Sequence, residues 1–339
     1  VKICTAIVAV VIGLAAAGYA KGADRAVTLR LSYFLPSSHP LQASFQEWVS
    51  RVEKASEGTL RVTIFPSAQL GKAFDHYDMA RDAITDIALV GPGYQPGRFP
   101  IAGAADLPFQ YNGGKSGTAA IDSWYRKYAP AEMKDVHFCL GFIQEPATFH
   151  SRKKVVEPED VKGLKVRPPN AVLASLITRL GGTNVAASPQ ETRELIERGV
   201  ADGTFVPWGS AVLFSIDRVA KFHIDEKMNA WFGVVVMNAT RYEALSALQK
   251  SAIDENCNTD AAVALASRWA DFEIAGRAKI VGQSGHETVT LTPDQLAAWR
   301  KAAAPLTALW SSAVREVGVD PDKAMAELKD SLQKYGAAY

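Results

Sequence analysis

Cysteine is scarce in this chain, with three among 339 residues. Cys4, Cys139 and Cys257 stand far apart, and no Cys-x-x-Cys or His-x-x-x-His pair occurs. These absences exclude the common zinc and thiol-redox motifs, and with the six histidines scattered singly no metal or other cofactor is expected. The Gly-x-Ser-x-Gly elbow of the α/β-hydrolases is missing too. Neither sign of charge is in excess: 37 basic against 36 acidic residues leave a net charge of +1. Without a basic block, nothing suits nucleic acid or an anionic membrane. After the first twenty residues no uncharged apolar run approaches the ~20 residues of a membrane span. No internal repeat is visible.

Apolar residues are plentiful, at 48%, as in a packed globular protein. The start reads as an export signal over residues 1–20: Lys2, the apolar run Ile3 to Ala17, then Gly18-Tyr19-Ala20 for cleavage. The protein is therefore expected in the periplasm. Roughly 320 residues remain, beyond the usual size of one core, so two lobes are the default. In an exported protein Cys139 and Cys257 could form a disulfide or remain buried thiols, and the sequence leaves both open.

The chain then alternates. Val27–Phe34 is β-rich. Leu41–Ser56 carries Phe45, Trp48, Val49 and Val52 at helical spacing. Leu60–Phe65 is a second strand, Asp75–Ile84 a helix and Asp86–Val90 a buried strand. This β-α-β-α-β order predicts a parallel sheet with helices on its faces. Gly91 to Pro100, with three glycines and three prolines, is a loop of fixed path carrying Tyr94 and Arg98. Asn112-Gly113-Gly114-Lys115-Ser116-Gly117 looks like a phosphate loop, but Phe109 stands where the motif needs its first glycine. On the strand Val136–Ile143, His137 and Cys139 share a face, as any i and i+2 pair does.

The stretch with the sharpest chemistry is Gly163-Leu164-Lys165-Val166-Arg167-Pro168-Pro169-Asn170. Two prolines stop the strand directly after Arg167, since proline has no N–H for the ladder. A guanidinium is thus set at a strand end, where open α/β sheets bind ligands, and its planar fork matches a carboxylate. Ala171–Leu180 is a helix and Val185–Ala187 a short strand. Ser188-Pro189-Gln190-Glu191 is a capped helix start. Thr204-Phe205-Val206-Pro207-Trp208 is again a strand halted by proline, and Ala230–Met237 is a strand buried on both faces. Leu245–Val281 reads as one long helix and the remainder as helix only, with Pro305 as a kink.

Taken together, these stretches resemble one family. They are Ser38-His39-Pro40-Leu41, Phe65-Pro66-Ser67-Ala68-Gln69-Leu70-Gly71, Tyr94 to Pro100, Leu107-Pro108-Phe109, Gly163 to Arg167, Asp202-Gly203 with Pro207-Trp208, and Val236-Met237-Asn238. In this order they resemble the periplasmic substrate-binding proteins of TRAP transporters. The resemblance implies an α/β, two-lobed periplasmic-binding-protein fold, a ligand cleft between the lobes and a long helix, here about 246–284, crossing both. Lobe I would comprise 25–144 plus 232–272, and lobe II 145–231 plus 273–339. It implies that Arg167 binds a carboxylate, and it puts Phe34, Tyr94, Val206 and Trp208 at pocket positions, with Phe205 beside them. Members that bind sialic acid carry polar residues at several of these places, and many relatives have Glu where Gly209 stands.

One cation fixes one carboxylate, and the motif positions supply no second cation, so a dicarboxylate would leave a charge badly matched. The aromatics suit an apolar body. The expected ligand is a monocarboxylate, aromatic or 2-oxo, captured by a monomer through lobe closure and passed to a small and a large membrane subunit. The alternatives are an exported enzyme acting on a small carboxylate, which would need His137, Cys139 or His150 to meet in the cleft, and a binding subunit of another importer or sensor.

Overall fold

A computed structural model describes residues 24–339. The export signal expected at 1–20 lies outside the described residues. Among those described, no helix is long and apolar enough to cross a membrane. The strands are β1 (Val27–Ser32), β2 (Leu60–Phe65), β3 (Ile87–Val90), β4 (Val136–Ile143), β5 (Thr148–Ser151), β6 (Lys165–Arg167), β7 (Thr183–Asn184), β8 (Gly203–Val206), β9 (Phe222–Ile224), β10 (Phe232–Asn238) and β11 (Glu287–Val289).

They form two sheets, of order β2-β1-β3-β10-β4 and β11-β9-β5-β8-β6-β7. In the first, β1 runs parallel to β2 and β3, as the β-α-β-α-β order requires. β10 is antiparallel to both neighbours, so the sheet is mixed rather than parallel throughout. It returns from the other sheet and needs no crossover helix to enter. The sheet is covered on both faces, and its side chains separate by parity. Ile87, Leu89, Val235 and Met237 enter one core, and Ala88, Val90, Val234 and Val236 the other. That two-residue period is the pleat, and it explains why β10 reads as a continuous apolar run.

The second sheet holds three strands the sequence reading did not find. β5, β9 and β11 are three or four residues long and carry His, Ser, Thr or Glu, too little for a periodic signal. β11 also corrects the helix-only expectation for the C-terminal third. The strand expected at Val185–Ala187 lies earlier, where Thr183 and Asn184 pair with Lys165 and Val166.

Two chain segments cross between the sheets side by side. Met228 N–H donates to Ala147 O at 2.9 Å, and Gln144 N–H to Trp231 O at 3.2 Å, so the crossings brace each other. The third crossing is helical but shorter than expected. In place of one helix over 246–284 there are Ala247–Asp254 and Thr259–Arg277. The break falls at Asn256-Cys257-Asn258, where the Asn258 side chain caps the second helix by accepting from Ala261 N–H. Cys257 is bonded to Cys139 there, which resolves the open cysteine question as a disulfide pinning the crossing helix to β4. The crossing helix packs on the helices Leu41–Ala55, Gly114–Tyr125 and Trp208–Leu213, touching Gly114–Tyr125 from Thr259 against Asp122 to Asp271 against Lys115. Pro305 opens a separate helix, Pro305–Glu316, rather than kinking one. The final helix, Pro321–Lys334, returns to the first sheet's layer, with Trp124 Nε1 donating to Ala324 O at 2.9 Å. The chain after 273 thus serves both sheets.

Candidate ligand-binding site

The C-terminal ends of β1, β3, β6 and β8 converge on one cavity between the sheets, as the switch-point rule for open sheets leads one to expect. Its water-accessible volume is about 30 Å³, within about 420 Å³ of atom-free space. β6 ends at Arg167, whose carbonyl accepts from Thr204 Oγ1 at 3.0 Å. Pro168 and Pro169 then turn the chain away. The guanidinium is held by Nε donating to Ala187 O at 3.0 Å. The side chain is 2% exposed, and Nη2 has no hydrogen-bond partner among the described residues. Burial lowers its pKa, while the Tyr94 phenol and the Glu191 carboxylate oppose that shift. Glu191 is already engaged by Ser188 N–H and Oγ at 2.8 and 2.6 Å. A buried guanidinium with Nη2 unpaired and no carboxylate bonded to it is costly by itself, so this site calls for an anion from outside.

The opposite wall is aromatic. Phe34 lies 5.8 Å from Tyr94 and 6.1 Å from Trp231, ring centre to ring centre. Trp231 is in turn 5.9 Å from Tyr94 and 6.1 Å from Trp269. The Tyr94 phenol lies against Arg167 and Trp231, and burial raises its pKa, so it stays a neutral hydroxyl. Trp231 Nε1 is another buried donor with no partner among the described residues. Phe205, Val206, Pro207 and Pro189 close the side of the second sheet. Arg167 is the one charged side chain in the wall among the described residues. The halves are already joined: Gln190, on the turn after β7, donates from Nε2 to Phe34 O at 2.6 Å.

Of the residues read from sequence, the structure brings Phe34, Tyr94, Arg167, Phe205 and Val206 together in this wall. Trp208 is not in it. The strand ends at Val206, Pro207 starts a turn, and the indole points behind the wall, 5.1 Å from the His150 ring. His39, Gln144, Ser210, Trp231 and Trp269 also line the cavity and were not singled out. The family model described as "Bacterial extracellular solute-binding protein, family 7" matches residues 31–313, well over half of the chain. The chain belongs to this family.

Among solved structures, a TRAP solute-binding protein from an unidentified microbe of a marine metagenome, specific for aromatic acid ligands and in complex with metahydroxyphenylacetate, is similar. It is 28% identical with a TM-score of 0.84, over 91% of this chain and 99% of that one. A TRAP protein of Bordetella bronchiseptica with bound (R)- and (S)-mandelate is 26% identical, also at 0.84, over 91% and 99%. A curated solute-binding protein of Albidiferax ferrireducens is 25% identical over 216 residues, 60% of this chain and 63% of its own length.

Within this family 7 chain, the glycine after Pro207-Trp208 has a packing reason. A Cβ on Gly276 would lie 2.3 Å from Gly209 N and Cα, and a Cβ on Gly209 would lie 2.6 Å from Phe272 O. The crossing helix and the helix Trp208–Leu213 therefore meet backbone to backbone. The carboxylate at this junction comes from Glu273 of the crossing helix. It accepts from Ser210 N–H at 2.7 Å, from Ser210 Oγ, and from Trp269 Nε1 at 2.5 Å. Burial pushes its pKa up to about 7.

Five other sequence candidates are accounted for without a ligand. Arg98 pairs with Asp78 at 2.9 Å and lies 4.2 Å over the Tyr77 ring. His137 stacks on Tyr242, and Cys139 is in the disulfide. In the loop that looks like a phosphate binder, the Glu145 carboxylate accepts from Gly114 N–H at 2.7 Å, and Lys115 pairs with Asp271. His150 lies behind the cavity, bonded to His223 at 2.7 Å and Val206 O at 3.1 Å. These groups do not meet in the cleft.

Proposed function

We propose that this protein is the periplasmic receptor of a TRAP importer, binds an aromatic monocarboxylate without altering it, and presents it as a monomer to a small and a large membrane subunit. The observation that carries the reading is the free Nη2 of buried Arg167, facing a wall of Phe34, Tyr94, Trp231 and Trp269. A charge-assisted bond to that atom contributes about 1.5–3 kcal/mol, and the Tyr94 and Trp231 donors stand beside it. The rings provide flat apolar contact for an arene. Lining by a single cation disfavours a dicarboxylate, whose second charge would be buried unpaired. The aromatic acids held by the marine and Bordetella relatives support the same ligand class. Ligand joins the two halves, so binding shifts the population toward the closed form.

Thermal-shift and calorimetric titration with benzoate, phenylacetate, mandelate, succinate, pyruvate and sialic acid test this. Stabilisation by the aromatic monocarboxylates, with succinate and sialic acid silent, is expected. Stabilisation by succinate or sialic acid alone would overturn the reading, and stabilisation by pyruvate alone would move it to small 2-oxo acids.

A further inference from the structure

We infer that His39 is a specificity residue, donating a hydrogen bond to an oxygen that the ligand carries at the end remote from its carboxylate. The preferred ligand would then be an aromatic monocarboxylate with a ring hydroxyl. The inference rests on the aromatic-acid reading above and goes a step past it.

His39 precedes the helix Leu41–Ala55 and is 2% exposed. Its Nδ1 accepts from Leu41 N–H at 3.2 Å. An imidazole nitrogen that accepts from a backbone N–H carries no proton, so the neutral ring holds its hydrogen on Nε2. Burial pushes the pKa down to about 3, which keeps the ring neutral at any physiological pH. The tautomer is therefore set by the backbone, and Nε2 is a donor.

His39 lines the cavity, and its Nε2 has no hydrogen-bond partner among the described residues. A buried donor left unpaired costs the desolvation of the group, so its natural partner is an acceptor on what enters the cavity. The ring is fixed edge-on to Trp269 at 4.8 Å, and Trp269 is held through Nε1 by Glu273. Ring contacts run from His39 to Trp269, from Trp269 to Trp231 at 6.1 Å, and from Trp231 to Tyr94 at 5.9 Å, with Tyr94 against Arg167. The cavity wall thus carries a cation at Arg167, two indoles, and a neutral donor at His39. A carboxylate fits the first, an arene the middle, and a phenolic oxygen the last. A carboxylate at His39 would face a neutral donor and no cation, so the polarity of the site also fixes which end of the ligand goes where.

The test titrates pairs of acids differing by one oxygen: phenylacetate against 3- and 4-hydroxyphenylacetate, and benzoate against 3- and 4-hydroxybenzoate. The proteins are the wild type, His39→Asn and His39→Gln. Asparagine retains an acceptor for Leu41 N–H and deletes the Nε2 donor. Glutamine returns an N–H near the Nε2 position. In the wild type at least one hydroxylated acid should bind about 10- to 100-fold tighter than its parent, the range of one well-made hydrogen bond to a buried donor. In His39→Asn that ratio should fall to within about threefold, whatever happens to the affinity for the parent acid, and His39→Gln should recover part of it. Wild-type protein that binds parent and hydroxylated acids alike, or a ratio that persists in His39→Asn, overturns the role of His39 and leaves the aromatic-acid reading standing. Failure of every aromatic acid to bind overturns both. Should His39→Asn not fold, the Nε2–H resonance of the wild type decides. It should shift with hydroxylated acids and not with parents, and an equal shift with both would overturn the inference.

Discussion

Two cavities flank the Pro207-Trp208 turn, and they differ in a way that size and charge would misrank. The rear one is far larger, about 710 Å³ of water-accessible volume against about 30 Å³ in front. It is also rich in charge, but each of its ionic groups is engaged. Lys115 pairs with Asp271 and Arg277 with Asp225. Lys227 donates to Asn112 O, and Glu145 and Glu273 accept from backbone N–H groups. The front cavity has one cation, and its Nη2 is bonded to nothing among the described residues. Unsatisfied polar atoms mark a ligand site better than volume does, because a protein keeps a costly buried donor only where something repays it.

The sharpest way to break this contrast is Arg167→Met. Affinity for the aromatic acid should fall by two or more orders of magnitude, measured by calorimetry. The unliganded protein should melt no lower than the wild type, since a buried charge with no bonded counter-ion and Nη2 unpaired has been replaced by an apolar side chain of similar length. A variant with near-normal affinity would remove the distinction between front and rear.

How much of this was legible follows from the range of the signals. Arg167 was readable because everything that positions it is local: a short apolar strand, then two prolines. Tyr94 was readable for the same reason, on a loop of fixed path. His39, Trp231 and Trp269 were not, because their meeting depends on three segments that come together only in the fold. Trp269 carries the ordinary helical spacing of a core residue, and Trp231 merges into the apolar run of β10. Residue types around Ser38-His39-Pro40 gave no hint that Nδ1 would be tied to the backbone and Nε2 left free. Trp208 was misplaced because proline was correctly read as ending the strand, while the direction taken after it is set by the close contact of Gly209 with Gly276. The break in the crossing helix was missed because Asn256 and Asn258 are tolerated inside helices, and only the Cys139–Cys257 bond and the Asn258 cap make that point a terminus.

A smaller effect is expected at the contact between the halves. Gln190→Ala removes the bond to Phe34 O, which joins the first sheet's strand end to the turn after β7. One hydrogen bond of about 1 kcal/mol corresponds to roughly a fivefold loss of affinity, with no change in which acid is preferred. A change in preference would mean that Gln190 acts inside the cavity rather than across its mouth. Smallest of all should be Lys115→Ala in the rear cavity. Its ion pair with Asp271 is half-exposed, and such pairs contribute less than about 1 kcal/mol. Ligand affinity should stay within about twofold, since the change lies outside the front wall. A large loss there would make the rear cavity part of the binding site.

The most direct measurement is the crystal structure of the protein with its aromatic acid. A carboxylate oxygen should lie within hydrogen-bond distance of Arg167 Nη2, with the ring against Trp231 on one side and Phe205 on the other. An anion held in the rear cavity beside Lys115 or Lys227, with Arg167 Nη2 still unbonded, would contradict the account.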